Sequence, residues 1–424
     1  MLIADNRSLT TDMKILYLSH RIPYPPNKGD KIRSFNEVKY LSKSHEIHLA
    51  CLADDPDDLK YEKDLKKYCK KVCLLKLTPL TAKVKGLAAL MLNKPLSVGY
   101  FYSRLLQRTV NEWISENTYD AVICFSSPMA EYVFCSPLWT EGRGQRSAVS
   151  GKLSQHTVLI MDFCDVDSDK WGQYSRQSKF PLNLVYQIEN KKLLDYEKKV
   201  NHTFDHSFFS SPREADLFCR LYPQAQNVSF ISNGVDCEYF SPSEGKGPSG
   251  KRLILMFAGA MDYYANIDGV RWFCEEIFPR IKNAYPETQF YIVGSNPKPE
   301  VESLAMSDSV TVTGFVEDIR GYYQNADICV IPLRIARGVQ NKVLEAMSVG
   351  KAIVTSSAAI QGISATPGEH LLVADTPEDF IKHLTTLMKN EILRKEFGAR
   401  AREFVISHYD WKTNMGKLDV LIGR

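Results

Sequence analysis

The chain is poor in the features that announce a specialised class of protein. It holds no apolar run near the roughly 20 residues needed to span a bilayer, so a membrane-crossing helix is not expected. Its ten cysteines are scattered, and the close pair Cys69 and Cys73 sits among lysines. No CxxC or Cys/His ligand spacing occurs, which argues against structural zinc and against a disulfide scaffold. Reduced thiols in a cytosolic protein are the expectation, with Cys51, Cys124 and Cys329 as small apolar residues on buried strands. A formal net charge of +3 is too small to argue for a nucleic-acid partner. Residues 1–12 lack the charged and apolar regions of a secretory leader, and they read as a disordered extension before a second natural start at Met13. No GxGxxG follows the first strand of either half of the chain, which weighs against a nicotinamide or flavin dehydrogenase.

What is present is a soluble composition, 44% hydrophobic and 24% charged, over 424 residues. That length exceeds one ordinary core, so two domains are expected. The strand "MKILYLS" (13–19) leads into the proline-rich loop "HRIPYPPNKGD", and a helix begins near Lys31. "EIHLACL", "KVCLLKL", "DAVICF", "TVLIMDF" and "HSFFSS" read as further strands, with helices such as 104–116 and 184–200 between them. Strands that are apolar throughout and alternate with helices point to a parallel sheet covered on both faces. After the Gly/Pro/Ser stretch 241–250 the pattern restarts with "RLILMFAGA". It continues through an amphipathic helix, "TQFYIVGS", "VTVTGFV", "ADICVIPL" and "KAIVTSS" to a mostly helical tail. The expectation is α/β: two doubly wound Rossmann-like domains, whose strand carboxyl ends face a cleft.

Three motifs invite a functional reading. "GKGPSGKR" (245–252) approaches the phosphate-loop pattern, but it precedes a strand and carries Arg252 where a magnesium-binding Ser/Thr belongs, so it reads as linker. "DVDSD" (165–169) has the DxD spacing of a divalent-ion site; a polar loop with helix-capping acids is the preferred reading. The lysine-rich stretch from Lys60 to Lys94 has two readings. One is a solvated helix face followed by an ordinary buried strand and helix. The other is attachment to anionic lipid.

Several segments together resemble one family. "SNGVDCEYFSP" is similar to the NGVD signature that closes the first domain of family 4 glycosyltransferases. "LILMFAGAMDYYANIDGVRWFCEEIFPRI", "FYIVGSNP", "VTVTGFVEDIRGYYQNADICVIPL" and "NKVLEAMSVGKAIVTS" resemble the succession that follows in those enzymes. "PLRIARGVQNKVLEAM", "YPPNKGDKIRSFNEVKYLS" and "DFCDVDSDKW" are similar to the sugar transferases associated with exosortase/PEP-CTERM systems of bacteria. The resemblance implies a GT-B fold, with an acceptor-side domain over 13–240 to which 405–424 crosses back, and a nucleotide-sugar domain over 251–404. It further implies retention of anomeric configuration and no requirement for metal or other cofactor. The substrates would be a nucleotide-sugar donor and a glycan or polyprenyl/lipid-linked acceptor of surface polysaccharide or glycolipid assembly. The setting would be the cytoplasm, and the lipid-attachment reading of the 60–94 stretch, where it holds, would add peripheral contact to the inner face of the membrane.

Expulsion of a nucleoside diphosphate builds negative charge on the pyrophosphate, so the site needs fixed cations and N–H donors there. The helix beginning near Gln340 offers free N–H groups and a partial positive charge, with Asn341 in its first turn. Gly338 would let the backbone approach phosphate closely. By resemblance, Glu345 is the second glutamate of an E-x7-E motif and accepts hydrogen bonds from ribose hydroxyls; the alternative is a surface Glu paired with Lys342. Eight residues before Glu345 stands Arg337, where the family has its first glutamate. The basic pair expected after the first strand of the second domain is also missing, because residues 259–266 hold no Arg or Lys. Leaving-group charge is therefore expected from Arg334, Arg337 and Lys342.

By the same resemblance, Gly259, Gly294 and Gly314 shape turns beside the nucleotide, and backbone near Phe315 reads the base. Gly29 and Asp30 face donor phosphate and sugar, Asp30 reading equally as a helix cap. Asp165 is an acceptor-side polar group or base, next to Cys164 where the family carries His. Asn233 and Gly234 shape a hinge. The competing reading is a catalytically impaired GT-B subunit that binds nucleotide sugar or glycan, prompted by the missing glutamate and basic pair.

Overall fold

The structure is a computed structural model that describes residues 12–26, 29–137, 157–242, 252–306, 308–336 and 338–423. The expected extension (apart from Asp12), the expected linker (apart from Ser241 and Pro242) and Arg337 lie outside the described residues. The chain divides into two compact units, Met1–Ser232 with Met415–Arg424, and Asn233–Asn414. The changeovers at Asn233 and Met415 have a backbone origin. Val235 N–H donates to the Tyr409 carbonyl at 2.8 Å, and Val235 forms a parallel bridge with Asp410. This ties the 233–240 segment to the residues just before 415, so both fall in one unit.

The first unit is built on seven strands: β1 (Lys14–Ser19), β2 (Glu46–Ala53), β3 (Lys71–Lys76), β4 (Ala121–Phe125), β5 (Val158–Cys164), β6 (His206–Phe209) and β7 (Val228–Phe230). They are arranged β3-β2-β1-β4-β5-β6-β7 with every neighbour parallel. The central strands are covered on both faces, so Ile15, Leu16, Tyr17 and Leu18 are all fully buried. This is why they read as continuous apolar runs rather than alternating ones. The helix Trp411–Ile422 supplies the returning segment. Met415 and Leu418 are buried, the Tyr40 hydroxyl donates to Asp419 at 2.5 Å, and the Lys417 ammonium lies 4.9 Å from the Phe230 ring centroid.

The second unit holds β8 (Ile254–Ala258), β9 (Gln289–Val293), β10 (Val310–Val312), β11 (Ile328–Ile331), β12 (Ala352–Thr355) and β13 (Leu372–Val373), in the order β10-β9-β8-β11-β12-β13 and again all parallel. The amphipathic segment after β8 is not one regular helix. The helix Tyr264–Trp272 widens into a π-turn over Phe273–Ile277 before Phe278–Ala284. Pro279, which has no N–H for the ladder, explains the break. In both sheets the strand order reverses at the first strand, between β1 and β4 and between β8 and β11. Loops at the carboxyl ends of those strands diverge there and leave room for a ligand.

Candidate functional site

In the second unit, the reversal point gathers three loops: the one after β8, the one after β9, and the one from β11 into the helix Asn341–Ser348. Their approach is close enough to require glycine. A Cβ on Gly294 would lie 1.7 Å from the Gly259 carbonyl oxygen, and one on Gly259 would lie 2.7 Å from Asn266 Nδ2. Asn266 is buried and spans the turn, donating from Nδ2 to the Ala260 carbonyl at 2.8 Å. Its Oδ1 accepts from the Lys342 ammonium at 2.9 Å, and that ammonium also lies 5.1 Å from the Phe257 ring centroid. Sequence reasoning examined residues 259–266 for cations and passed over Asn266, which serves as the bracket for a cation from another loop.

Lys342 is a desolvated cation. Burial pulls its pKa down from 10.5 to about 8, against the smaller upward pull of Glu345. Glu345 does not pair directly with Lys342; it accepts from the Tyr323 hydroxyl at 2.8 Å. Burial raises the Glu345 pKa, opposed by that hydrogen bond and by Lys342. One helix face thus presents an ammonium and a carboxyl group, each braced by a neutral partner. The helix starts without a side-chain cap from Gln340, so its first-turn N–H groups add donors beside Lys342. Gly338 precedes it at φ +62°, with open space where a Cβ would stand.

Other residues expected here are placed differently. Arg334 is turned away to a carboxylate: its Nε donates to Asp268 Oδ2 at 2.9 Å, a second guanidinium nitrogen donates to Oδ1, and Trp272 lies beneath it at 5.9 Å. Its planar fork is occupied by an acid of matching geometry. Arg337 falls outside the described residues. Gly314 adopts φ +68°, and Phe315 beside it is 78% exposed.

The first unit has its own cluster at the carboxyl end of its sheet. Asp162 on β5 is fully buried and accepts from Arg33 Nε at 2.6 Å and from the Cys164 N–H at 2.8 Å. Arg33 also donates to the Ile231 carbonyl at 2.7 Å and lies 3.3 Å from Glu37, which accepts from the Tyr17 hydroxyl at 2.7 Å. Burial and the neighbouring Asp162 push the Glu37 pKa well up, against the opposing pull of Arg33 and the Tyr17 hydrogen bond. The cluster anchors an irregular strand end, where the register shifts between Asp162 and Cys164 and Cys164 takes φ +64°. That twist presents Asp165, which accepts from Ser210 Oγ at 2.8 Å and pairs with Lys170 at 2.8 Å. Burial acts to raise the Asp165 pKa, but Lys170 and Ser210 outweigh it and hold the carboxylate ionised. It is suited to accepting a hydrogen bond rather than to taking a proton. Asp167 shares Lys170 at 3.0 Å.

Asp30 lies in the first turn of the helix Gly29–Leu41. It accepts from Arg21 at 2.7 Å, with His20 Nε2 at 3.6 Å. Burial opposes ionisation here, but His20 and Arg21 hold the carboxyl far below the usual carboxylate range. A Cβ at Gly29 would meet open space. His20 is buried between the Phe125 ring (stacked, 5.8 Å) and the Phe101 ring (edge-on, 5.1 Å). The buried Arg33–Asp162–Glu37 group was missed because its members lie far apart in sequence and none sits in a recognisable motif.

Residues 252–390 match the glycosyl transferases group 1 family. The matched residues lie within the second unit. A Klebsiella pneumoniae protein described as an uncharacterized 44.6 kDa protein in cps region is 22% identical over 423 residues, covering 94% of this chain and 97% of that one. Among solved structures, sucrose-phosphate synthase from Thermosynechococcus elongatus superimposes with a TM-score of 0.66 at 16% identity, covering 96% of this chain and 98% of that chain. HepE from Anabaena, in complex with UDP, gives 0.64 at 14% identity, covering 97% and 100%. The fold is GT-B, two Rossmann-like domains.

Proposed function

We propose that the protein is a retaining glycosyltransferase. It transfers a sugar from a nucleotide-sugar donor to a glycan or lipid-linked acceptor, in bacterial surface polysaccharide or glycolipid assembly on the cytoplasmic side of the membrane. The observation that carries the reading is the braced pair on the helix Asn341–Ser348. Lys342 on Asn266 meets the pyrophosphate, and Glu345 on Tyr323 meets the ribose diol. The group 1 match covers this helix, and the similar Anabaena protein binds UDP and UDP-glucose. Arg337 is the second cation of this reading. In the first unit, Asp165 orients the acceptor, and Gly29 and Asp30 line the donor sugar. No metal takes part: Asp165 and Asp167 of the DxD spacing share Lys170, and Lys342 with the first-turn N–H groups supplies the charge compensation. Within the broader group, the segments around residues 24–42, 162–171 and 332–347 favour the exosortase-associated branch.

A second reading, a GT-B subunit that binds nucleotide sugar without transferring it, is favoured by Arg337 in place of the first glutamate. Transfer or donor hydrolysis by the purified protein in EDTA separates the two. Turnover under those conditions supports the enzyme; UDP binding with no turnover across a donor and acceptor panel supports the subunit.

A further inference from the structure

The helix Pro79–Met91 has its apolar side chains on the wrong side for a soluble protein. It buries the small residues Ala82, Gly86 and Ala89. Its large ones stand outside: Leu80 is 74% exposed, Val84 63%, Leu87 56% and Met91 90%, with Leu92 at 74% beyond the helix end. Their spacing of four, three and four residues puts them on one stripe. The helix is firmly seated against Leu96–Phe101, since a Cβ on Gly99 would fall 2.4 Å from the Ala89 Cβ. The amino end of that second helix is in turn held by Glu189, which accepts from Ser97 N and Oγ at 2.9 and 2.7 Å. A soluble surface helix buries its bulky face; one that packs on alanine and glycine and offers leucine and methionine outward is built for another apolar phase.

Charge points to the same partner. Residues 65–111 contain eight lysines and two arginines and no aspartate or glutamate, within a chain whose net charge is only +3. Lys83 and Lys85 flank the stripe. A cavity of ≈ 620 Å³ beside it is lined by Lys85, Lys94, Arg104, Leu92 and Leu105, among others. Lys94 is held by Glu131, which leaves Lys85 and Arg104 as the open cations of that cavity among the described residues. The apolar patch continues nearby. Leu182, Leu184 and Ile188 are exposed on the helix Leu182–Thr203, whose Lys192 bonds the Leu90 carbonyl at 2.8 Å. A second copy of the chain is a poor occupant, because the two faces would bring like charges together. An anionic, apolar surface fits both features.

We propose that the helix Pro79–Met91 docks this protein on an anionic phospholipid bilayer, with Leu80, Val84, Leu87 and Met91 entering the headgroup boundary and Lys83, Lys85 and Arg104 meeting lipid phosphates. The proposal deepens the lipid-linked-acceptor reading above by naming the surface that brings the site to such an acceptor. Its test does not depend on transfer.

The full chain is sedimented with vesicles of phosphatidylcholine alone or of phosphatidylcholine with phosphatidylglycerol, and thermal stabilisation by UDP is measured in parallel. The protein is expected to pellet only with the anionic vesicles and to be released by salt. Lys83→Ala with Lys85→Ala should weaken binding about 25-fold, about fivefold per cation. Leu87→Glu with Met91→Glu should weaken it about a hundredfold, about tenfold per side chain. Both variants alter exposed positions and should keep the wild-type response to UDP, which shows that they fold. Wild-type protein that stays in the supernatant with anionic vesicles overturns the proposal. So does an L87E/M91E variant that binds as well as wild type, or a wild-type dimer that this variant dissociates without any vesicle binding. Vesicle binding without UDP stabilisation would instead count against the donor site and leave the docking surface standing.

Discussion

Replacing Lys342 by methionine keeps the length of the side chain and removes its charge. In the ligand-free protein the folded-state pKa is about 8, against 10.5 for an unburied lysine. Holding the ammonium form at neutral pH therefore destabilises the fold by about 3 kcal/mol. Methionine relieves that penalty but leaves Asn266 Oδ1 without its donor, which costs about 1 kcal/mol. The variant should thus be more stable than wild type by about 2 kcal/mol near neutral pH, as read by urea unfolding. The sign of the pH dependence is fixed. Because the folded value lies below the unfolded one, the unfolded chain binds more protons between the two, and wild-type stability rises across that window. The advantage of the variant is full below pH about 8 and gone above about 10.5. A pyrophosphate beside Lys342 reverses the balance by favouring the ammonium form, so UDP binding at about pH 8.5 should take up part of a proton. Calorimetry in two buffers of different ionisation enthalpy measures that uptake. A variant no more stable than wild type near neutral pH, together with a binding heat independent of buffer, refutes the assignment of Lys342 as the desolvated phosphate cation.

Glu345→Gln should weaken UDP about tenfold to a hundredfold by isothermal titration, since one acceptor oxygen for the ribose diol becomes an amide NH2 donor. Arg334→Ala should change turnover by less than about threefold, because its fork is spent on an exposed pair with Asp268; a larger loss would show that the guanidinium moves to the donor. Arg33→Ala strands the buried Asp162 and should lower stability by about 3–5 kcal/mol in urea unfolding. Gly259→Ala pushes on Asn266 at 2.7 Å and should lower both turnover and UDP affinity through Lys342, which turnover and UDP titration measured side by side check.

The strands were legible because both sheets are buried on both faces, so β1, β4, β5, β8, β11 and β12 stand out as β-branched and aliphatic runs. β7 and β13, three and two residues long at sheet edges, carry too little burial to leave a pattern, and both were missed. The Lys342/Glu345 face was legible because helical spacing alone places the two together. What braces them was not. Asn266 and Tyr323 lie 76 and 22 residues away on other helices, and the parallel order β8-β11 brings those elements to one point. Arg334 makes the same point from the cation side: its partner in the ligand-free protein, Asp268, lies 66 residues upstream and leaves no mark beside it in the sequence. The stretch from Lys60 to Lys94 sharpens the point. Composition showed it to be basic and then apolar, which suits a buried helix and a membrane-facing one equally. The decision rests on which face of the helix Pro79–Met91 holds alanine and glycine, and periodicity cannot supply it without knowing that Gly99 presses against Ala89. Where a helix carries both a small-residue face and a large apolar one, either could be the core by pattern alone. Here the tight approach of a second helix selects the small face, and the large one is left outward among lysines.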